Sequence, residues 1–519
     1  MTDTYKVLGQ TTSVANEDTS AYVVPSGVQA SISSLLITNT SGQTSYTLSA
    51  VSNADYQDMI IPAYSETAQI GDTLRGEADD NQTAGESIAL TPSGDTVIIG
   101  YPLANNFYGG GNSYGKASIY DRSGNSWVQR GPSLGAGVQY AQSGFSVDVS
   151  SDGNFVAVGS PGAGPALEMP GLAEVYRWDA GLSQWVQLGS DLSNQNSGSS
   201  FGCSVAIAGG DPSDGDGTVL VVGARLAGPP SGSGQVRIYR YIAANGGFAF
   251  ITFVNGSSGS ETGTSVSVSS DGSLVLIGEP NHSTTGRVRL FYSSGYEWSQ
   301  VATFEGFGGR FGQSVSMSPD GTSFCVGAPL ADSGNGVVYS YELVNPITHS
   351  WTLVGNPILN PLENPQSSQF GHEVGISNGG SSIIVGIPQA QNATGAVCIF
   401  DFDGTDWVQR SGSYIGEQPN DELGRGVSIN GDGLLFAIGA PYGDTPTNAS
   451  GYVKIYETTV YPESLDSPPA KCKIISEKTI ASGEHHEIAG GIQLSEEDRL
   501  MITSTSGDLV VNIFGVEMS

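Results

Sequence analysis

The chain has 519 residues, with 51 acidic against 19 basic side chains and a formal net charge of −32. Such a surface repels phosphate backbones and argues against nucleic-acid binding, and no apolar run approaches the ~18 residues that mark a membrane span. Glycine is abundant at 73 residues, but it falls at repeated turn positions, so it punctuates strands and does not mark disorder.

The N-terminal Met1-Thr2-Asp3-Thr4-Tyr5-Lys6 lacks the basic and apolar regions of a secretory signal. Residues 1–65 hold three expected strands, in Ala21–Pro25, Ala30–Ile37 and Tyr46–Val51, with Ser, Gly and Asn turns between them. From residue 66 the chain repeats itself. The clearest copy is Gly144-Phe145-Ser146-Val147-Asp148-Val149, then Asp152-Gly153, then Phe155-Val156-Ala157-Val158-Gly159. Asp-Gly suits the positive φ angles of a tight hairpin. Gly171–Tyr176 supplies a third strand and Trp185–Gly189 a fourth.

The same unit returns at Ile88, Val147, Val205, Val266, Val315, Val374 and Val427. A four-stranded unit repeated at such a period predicts an all-β fold, a seven-bladed β-propeller over residues 66–456. The last copy ends at Tyr452–Tyr456 without the Trp that opens a fourth strand, whereas Thr67-Ala68-Gln69-Ile70-Gly71 precedes the first copy. Pairing of Ala68–Gly71 with Val453–Tyr456 would seal the ring and remove an exposed edge. After a Pro-bearing linker at 457–469, residues 470–519 offer four more strands. Each chain end alone would bury a poor core. Together, 1–65 and 470–519 are expected to form a split β-sandwich into which the propeller is inserted.

Few motifs carry chemistry. The third copy has an enlarged hairpin, Asp211-Pro212-Ser213-Asp214-Gly215-Asp216-Gly217; Asp211, Asp214 and Asp216 could hold calcium, and a solvated turn is the other reading. The longest second-to-third strand loop holds Phe107, Tyr108 and Tyr114 beside Asn and Gly, which suits contact with a partner or a sugar. His372-Glu373 falls on an inner strand, where a packed or water-facing channel histidine is the plain reading. There is no metalloprotease, serine-hydrolase or phosphate-loop motif. Cys203, Cys325, Cys398 and Cys472 lack metal-type spacing, and the first three sit at apolar positions in strands, as buried free thiols do.

Two resemblances follow from these residues. Phe201-Gly202 to Gly223-Ala224, Phe311-Gly312 to Gly327-Ala328-Pro329 and Phe370-Gly371 to Gly386-Ile387-Pro388 resemble FG-GAP repeats, the units of integrin α-subunit propellers. In those propellers the first hairpin of a blade is where Asp-rich loops bind calcium. Arg225 departs from the pattern in the Pro slot, and Glu279 precedes Pro280 in the fourth copy. Tyr5–Gln10, Tyr22–Pro25 and Val511–Glu517 resemble the ends of a small β-domain of marine tailed-phage virion proteins.

The resemblances imply a non-enzymatic phage virion structural protein. The sandwich would dock on other virion proteins, and the propeller would present loops to a host glycan or receptor, without membrane insertion and with a homo-oligomer as one arrangement. Assembly would be in the host cytoplasm. A virion-associated carbohydrate-active propeller enzyme and a secreted bacterial adhesin are the other readings, with paired carboxylates in a cleft favouring the enzyme.

Overall fold

A computed structural model describes the chain except residues 1–3, 13–17, 24–28, 40–43, 52–64, 77–81, 105–112, 164–169, 195–197, 210–216, 229–231, 363–366, 444–449, 461–471, 481–484, 495–498, 505–508 and 519. It divides into two compact units, Met1–Glu66 with Thr459–Ser519, and Thr67–Thr458.

The first unit consists of two four-stranded antiparallel sheets, described here by backbone alone. One has the order Thr4–Thr12, Leu509–Met518, Gln29–Asn39, His485–Leu494; the other runs Asp18–Val23, Arg499–Ser504, Thr44–Val51, Cys472–Ile480. Each sheet alternates strands from the two chain ends, so neither end can complete its hydrogen bonding alone. Ile37 stands opposite Val511 and Leu35 opposite Ile513.

The second unit is a seven-bladed propeller. Each blade is an antiparallel meander whose short first strand is innermost, as in Ile88–Leu90, Thr96–Tyr101, Lys116–Ser123 and Ser126–Gln129 of the first blade. The innermost strands of blades two to seven are Ser146–Val149, Phe201–Ala208, Val266–Val268, Ser314–Met317, Val374–Ile376 and Gly426–Ile429. Second strands such as Phe155–Ser160 and Ser323–Ala328 are buried along their whole length, because both faces of a blade meet neighbouring blades. Seven separate apolar clusters fill the seven interfaces, one for each pair of adjacent blades.

The ring closes where the sequence placed it. Ser65–Gln69 is the outer strand of the seventh blade, beside Tyr452–Val460. The Ile70 amide donates to the Ile455 carbonyl at 2.8 Å, and Leu74–Arg75 extends the pairing to Tyr452 and Val453.

Glycine sets how closely the blades approach. A Cβ on Gly100, Gly159, Gly223, Gly278, Gly327, Gly386 or Gly439 would collide with the carbonyl oxygen of Gly144, Gly202, Gly263, Gly312, Gly371, Gly424 or Gly85 of the next blade. The second member of each pair also has φ between +82° and +95°, which an L side chain adopts only with strain. The Phe-Gly of the repeat thus has two separate causes: Phe201, Phe311 and Phe370 are fully buried, and the glycine permits the contact and the turn.

Candidate active site

The innermost strands expose one edge to the axis, and serine satisfies it. The Val147 amide donates to Ser87 Oγ of the preceding blade at 3.0 Å, Val205 to Ser146 at 2.8 Å, Val315 to Ser265 at 3.0 Å, Met317 to Ser267 at 3.0 Å, Val374 to Ser314 at 3.1 Å and Leu90 to Ser428 at 3.0 Å. A hydroxyl that accepts an amide keeps its own proton to donate, so these serines line the axis with donors. In the second blade Asp148 takes this role; its Oδ2 accepts the Ile207 amide at 2.7 Å and its Oδ1 the Val149 amide at 2.9 Å. Burial outweighs those two bonds and pushes the Asp148 carboxyl up to about 7.

The axial cavity has a volume of about 390 Å³ and reaches from Glu86, His372 and Arg425 down to Pro92, Ser151, Ser270 and Pro319. At the hairpin end the blades draw together. Ser151 of the second blade donates to Ser270 of the fourth at 2.6 Å, the Ser270 amide to Pro319 O at 2.8 Å, and the Gly431 amide to Pro92 O at 2.8 Å. We call the opposite end, with Glu86, His372 and Arg425, the mouth.

A one-residue pattern builds that mouth. Thr83, Gln142, Ser200, Glu261, Arg310, Gln369 and Glu422, one per blade, all have φ between +53° and +62°. Each carbonyl accepts the amide three residues on, from Glu86, Phe145, Cys203, Thr264, Gln313, His372 and Arg425 respectively. These seven residues, one past the glycine of the repeat, all line the cavity. The next position is Ser87, Ser146, Ser204, Ser265 and Ser314 in five blades, Gly426 in the seventh and Glu373 in the sixth.

The arc from the sixth blade through the seventh to the first therefore gathers ionisable groups. Arg425 lies between Glu422 at 3.1 Å and Glu86 at 3.8 Å. Its Nη1 is 3.3 Å from His372 Nε2, and its guanidinium stands 6.0 Å from the centre of the Tyr442 ring. Burial raises the Glu373 carboxyl to about 8, opposed by a hydrogen bond from Ser314, reinforced by the charge of Glu86 and opposed again by Arg425. Glu86 is raised above the usual carboxylate range, by burial first, against the pull of Arg425. Burial, then the charges of Arg425 and Arg310, hold His372 down at about 4. At neutral pH the mouth thus holds a protonated carboxyl, a second carboxyl beside a cation, and a neutral imidazole. That set can give a proton, take one and orient a polar ligand.

The residues singled out in the sequence are not tested by this site. Asp211, Asp214, Asp216, Phe107 and Tyr108 lie outside the described residues; Tyr114 is half-buried and not part of the axial cavity. Among the described residues no group of three His, Cys, Asp or Glu is placed to hold a metal ion. Glu279, which breaks the repeat before Pro280, is fully buried and receives Arg287 Nε at 2.7 Å and Arg289 Nε at 2.6 Å, a paired structural charge. Arg225, in the Pro slot, lines the cavity. Cys203, Cys325 and Cys398 are buried free thiols. His372 is a channel residue, as its strand implied, but Glu373 and Glu86 were missed as a pair.

No protein-family model matches the sequence, and no curated protein does. Among solved structures, the fold is similar to a periplasmic gluconolactonase of Pseudomonas aeruginosa, at 16% identity and a TM-score of 0.44, covering 73% of this chain and 98% of that one. It is also similar to a protein of Bacteroides uniformis assigned provisionally as a 6-phosphogluconolactonase, at 11% identity and a TM-score of 0.45, with the same coverage of both chains. The likeness is one of fold. The expectation of a non-enzymatic phage virion component is corrected here: the two solved propellers just named are titled as lactonases. The physical reason for the error is local: the ionisable cluster at the mouth comes from three different blades, and no contiguous motif announces it.

Proposed function

We propose that the protein is a carbohydrate-active enzyme that hydrolyses a glycosidic bond at the mouth of the propeller channel. The observation that carries this reading is Glu373, a carboxyl held protonated to about pH 8 where five other blades place serine. Structural economy alone favours the serine, because a buried carboxyl is costly and serine already satisfies the neighbouring amide. Perturbed carboxyls in a cleft are a mark of acid–base sites.

In this reading Glu373 gives its proton to the glycosidic oxygen as the bond from that oxygen to the anomeric carbon breaks. Glu86 takes a proton from the attacking water, whose oxygen forms the new bond to the anomeric carbon. The leaving sugar departs as a neutral alcohol, and exchange with solvent returns both carboxyls to their starting states. Arg425 pulls the Glu86 carboxyl down against its burial, towards the ionised form that a base needs. Serine hydroxyls around the wall and the Phe145 ring at the mouth supply donors and an apolar face for a hydroxyl-rich ligand.

The test is release of reducing sugar or nitrophenol from a panel of polysaccharides and nitrophenyl glycosides. Glu373→Gln, checked for an unchanged fold by circular dichroism, should lower the rate about 10²–10⁴-fold. Release from no member of the panel, or release indifferent to Glu373→Gln, would overturn the reading.

A further inference from the structure

At the same mouth, His372 Nδ1 is buried and has no hydrogen-bond partner among the described residues. Its other ring nitrogen, Nε2, lies 3.3 Å from Arg425 Nη1. A guanidinium only donates, so Nε2 must accept and the ring proton must sit on Nδ1. The side chain is thus held in one tautomer, with a donor that no group among the described residues accepts. A buried donor left unmade forfeits its hydration with nothing in return.

Packing does not require that cost. The equivalent position of the second blade is Phe145, so the site accommodates an apolar ring; the remaining blades carry Glu86, Cys203, Thr264, Gln313 and Arg425. The neighbouring cation is differently placed. Arg425 Nε is also buried without an aligned hydrogen bond, although the Glu422 carboxylate is 3.1 Å away. His372 and Arg425 thus line the cavity from neighbouring blades, and of the two His372 carries the N–H with no acceptor among the described residues.

We propose that His372 binds substrate as a neutral donor, its Nδ1–H pairing with a hydroxyl or ring oxygen of the sugar, with Arg425 as the positioning residue that fixes the tautomer. This rests on the carbohydrate reading of the channel mouth and names the group that recognises the ligand. The binding is to an uncharged oxygen acceptor, because the donor carries no charge and the neighbouring guanidinium is already engaged with Glu86 and Glu422.

The test separates binding from turnover. In the Glu373→Gln protein, cellotriose, maltotriose and tri-galacturonate are titrated by calorimetry, and the His372 ring is followed by long-range proton–nitrogen NMR. The expected result is an Nδ1–H tautomer before ligand is added, with its proton moving on addition of at least one of these sugars. His372→Phe should weaken that sugar about tenfold or more, and His372→Asn, whose amide nitrogen comes near the place of Nδ1, should retain most of the affinity. An Nε2–H tautomer, a ring unmoved by every sugar, or equal affinity in His372→Phe would overturn the proposal. Glycan cleavage with unchanged binding by His372→Phe leaves the enzyme reading standing alone. A moving Nδ1–H in a wild-type protein that cleaves nothing upholds the donor and removes the enzyme.

Discussion

The Ile70 amide donates to the Ile455 carbonyl, joining the start of the propeller to the third strand of its last blade. Ile70 is also 3% exposed and belongs to the apolar cluster between the seventh and first blades, with Leu435, Val453 and Ile88. Ile70→Ala keeps the backbone bond but opens a cavity in the one interface that closes the ring. We expect a loss of about 2–5 kcal/mol in denaturant unfolding. A change within a few tenths would mean that closure does not depend on this contact.

The glycine pairs make a sharper test of blade spacing. Gly327→Ala drives a Cβ into the Gly371 carbonyl, and backbone cannot move aside as a flexible side chain can. Overpacking of this kind costs about 1–3 kcal/mol or more. Gly412, which has no atom within 4 Å of its Cβ position and no positive φ, is the control. Gly412→Ala should leave the melting temperature almost unchanged; equal effects at both positions would remove the steric argument.

Asp148 offers a third test. Asp148→Ala strands the amides of Ile207 and Val149 at the axis, at a cost of about 1–3 kcal/mol. Asp148→Ser recreates the contact used by the serine-bearing blades and should recover part of the loss, read by the same unfolding curves. If alanine and serine behave alike, the ladder of hydroxyls contributes nothing to blade docking.

The propeller was legible because its cause is periodic. Gly144, Gly159 and Asp152-Gly153 repeat with little change, and each repetition solves the same local problem of turn and approach. Even the displaced strand at Thr67–Gly71 could be read, since a missing Trp in the last copy left a countable gap. The site was not legible in the same way. Glu86 lies 287 residues before Glu373 and 339 before Arg425, and joins them only because the ring closes. The usable signal was the column one or two residues past each repeat glycine, where Glu373 replaces a run of serines. Asp-rich and aromatic loops stand out by residue type alone, whereas column position is visible only once the repeats are aligned; Asp211, Asp214, Asp216, Phe107 and Tyr108 lie outside the described residues. Tyr114, on its long loop, is not part of the axial cavity.

Stability should depend on pH through the buried carboxyls. Glu373 has a folded value near 8, well above the ~4.3 of a free glutamate. Between those values the unfolded chain has lost the proton and the folded chain keeps it, so stability falls as pH rises through that window. Asp148 and Glu174, both raised to about 7 chiefly by burial, add to the same slope. The melting temperature should be higher at pH 5 than at pH 8.5. Glu373→Gln should flatten the slope, and a slope equal to wild type would place the Glu373 carboxyl in the ordinary range.

The same groups fix the shape of the activity profile. Glu373 must hold its proton to protonate the leaving oxygen, so the rate should fall as pH rises through about 8. Glu86 must be ionised to take a proton from water, so the rate should also fall in acid, with that limb displaced upward from an ordinary glutamate because burial raises it. His372, held at about 4, adds no limb near neutrality. Arg425 lowers both carboxyls, and Arg425→Gln removes its charge from both at once. Both limbs of the profile should then move to higher pH, together with any loss of rate from the disturbed mouth. A uniform loss of rate with the limbs unmoved would show that Arg425 serves structure alone, and a profile governed by a group near 6.5 would transfer the proton chemistry from Glu373 to a histidine.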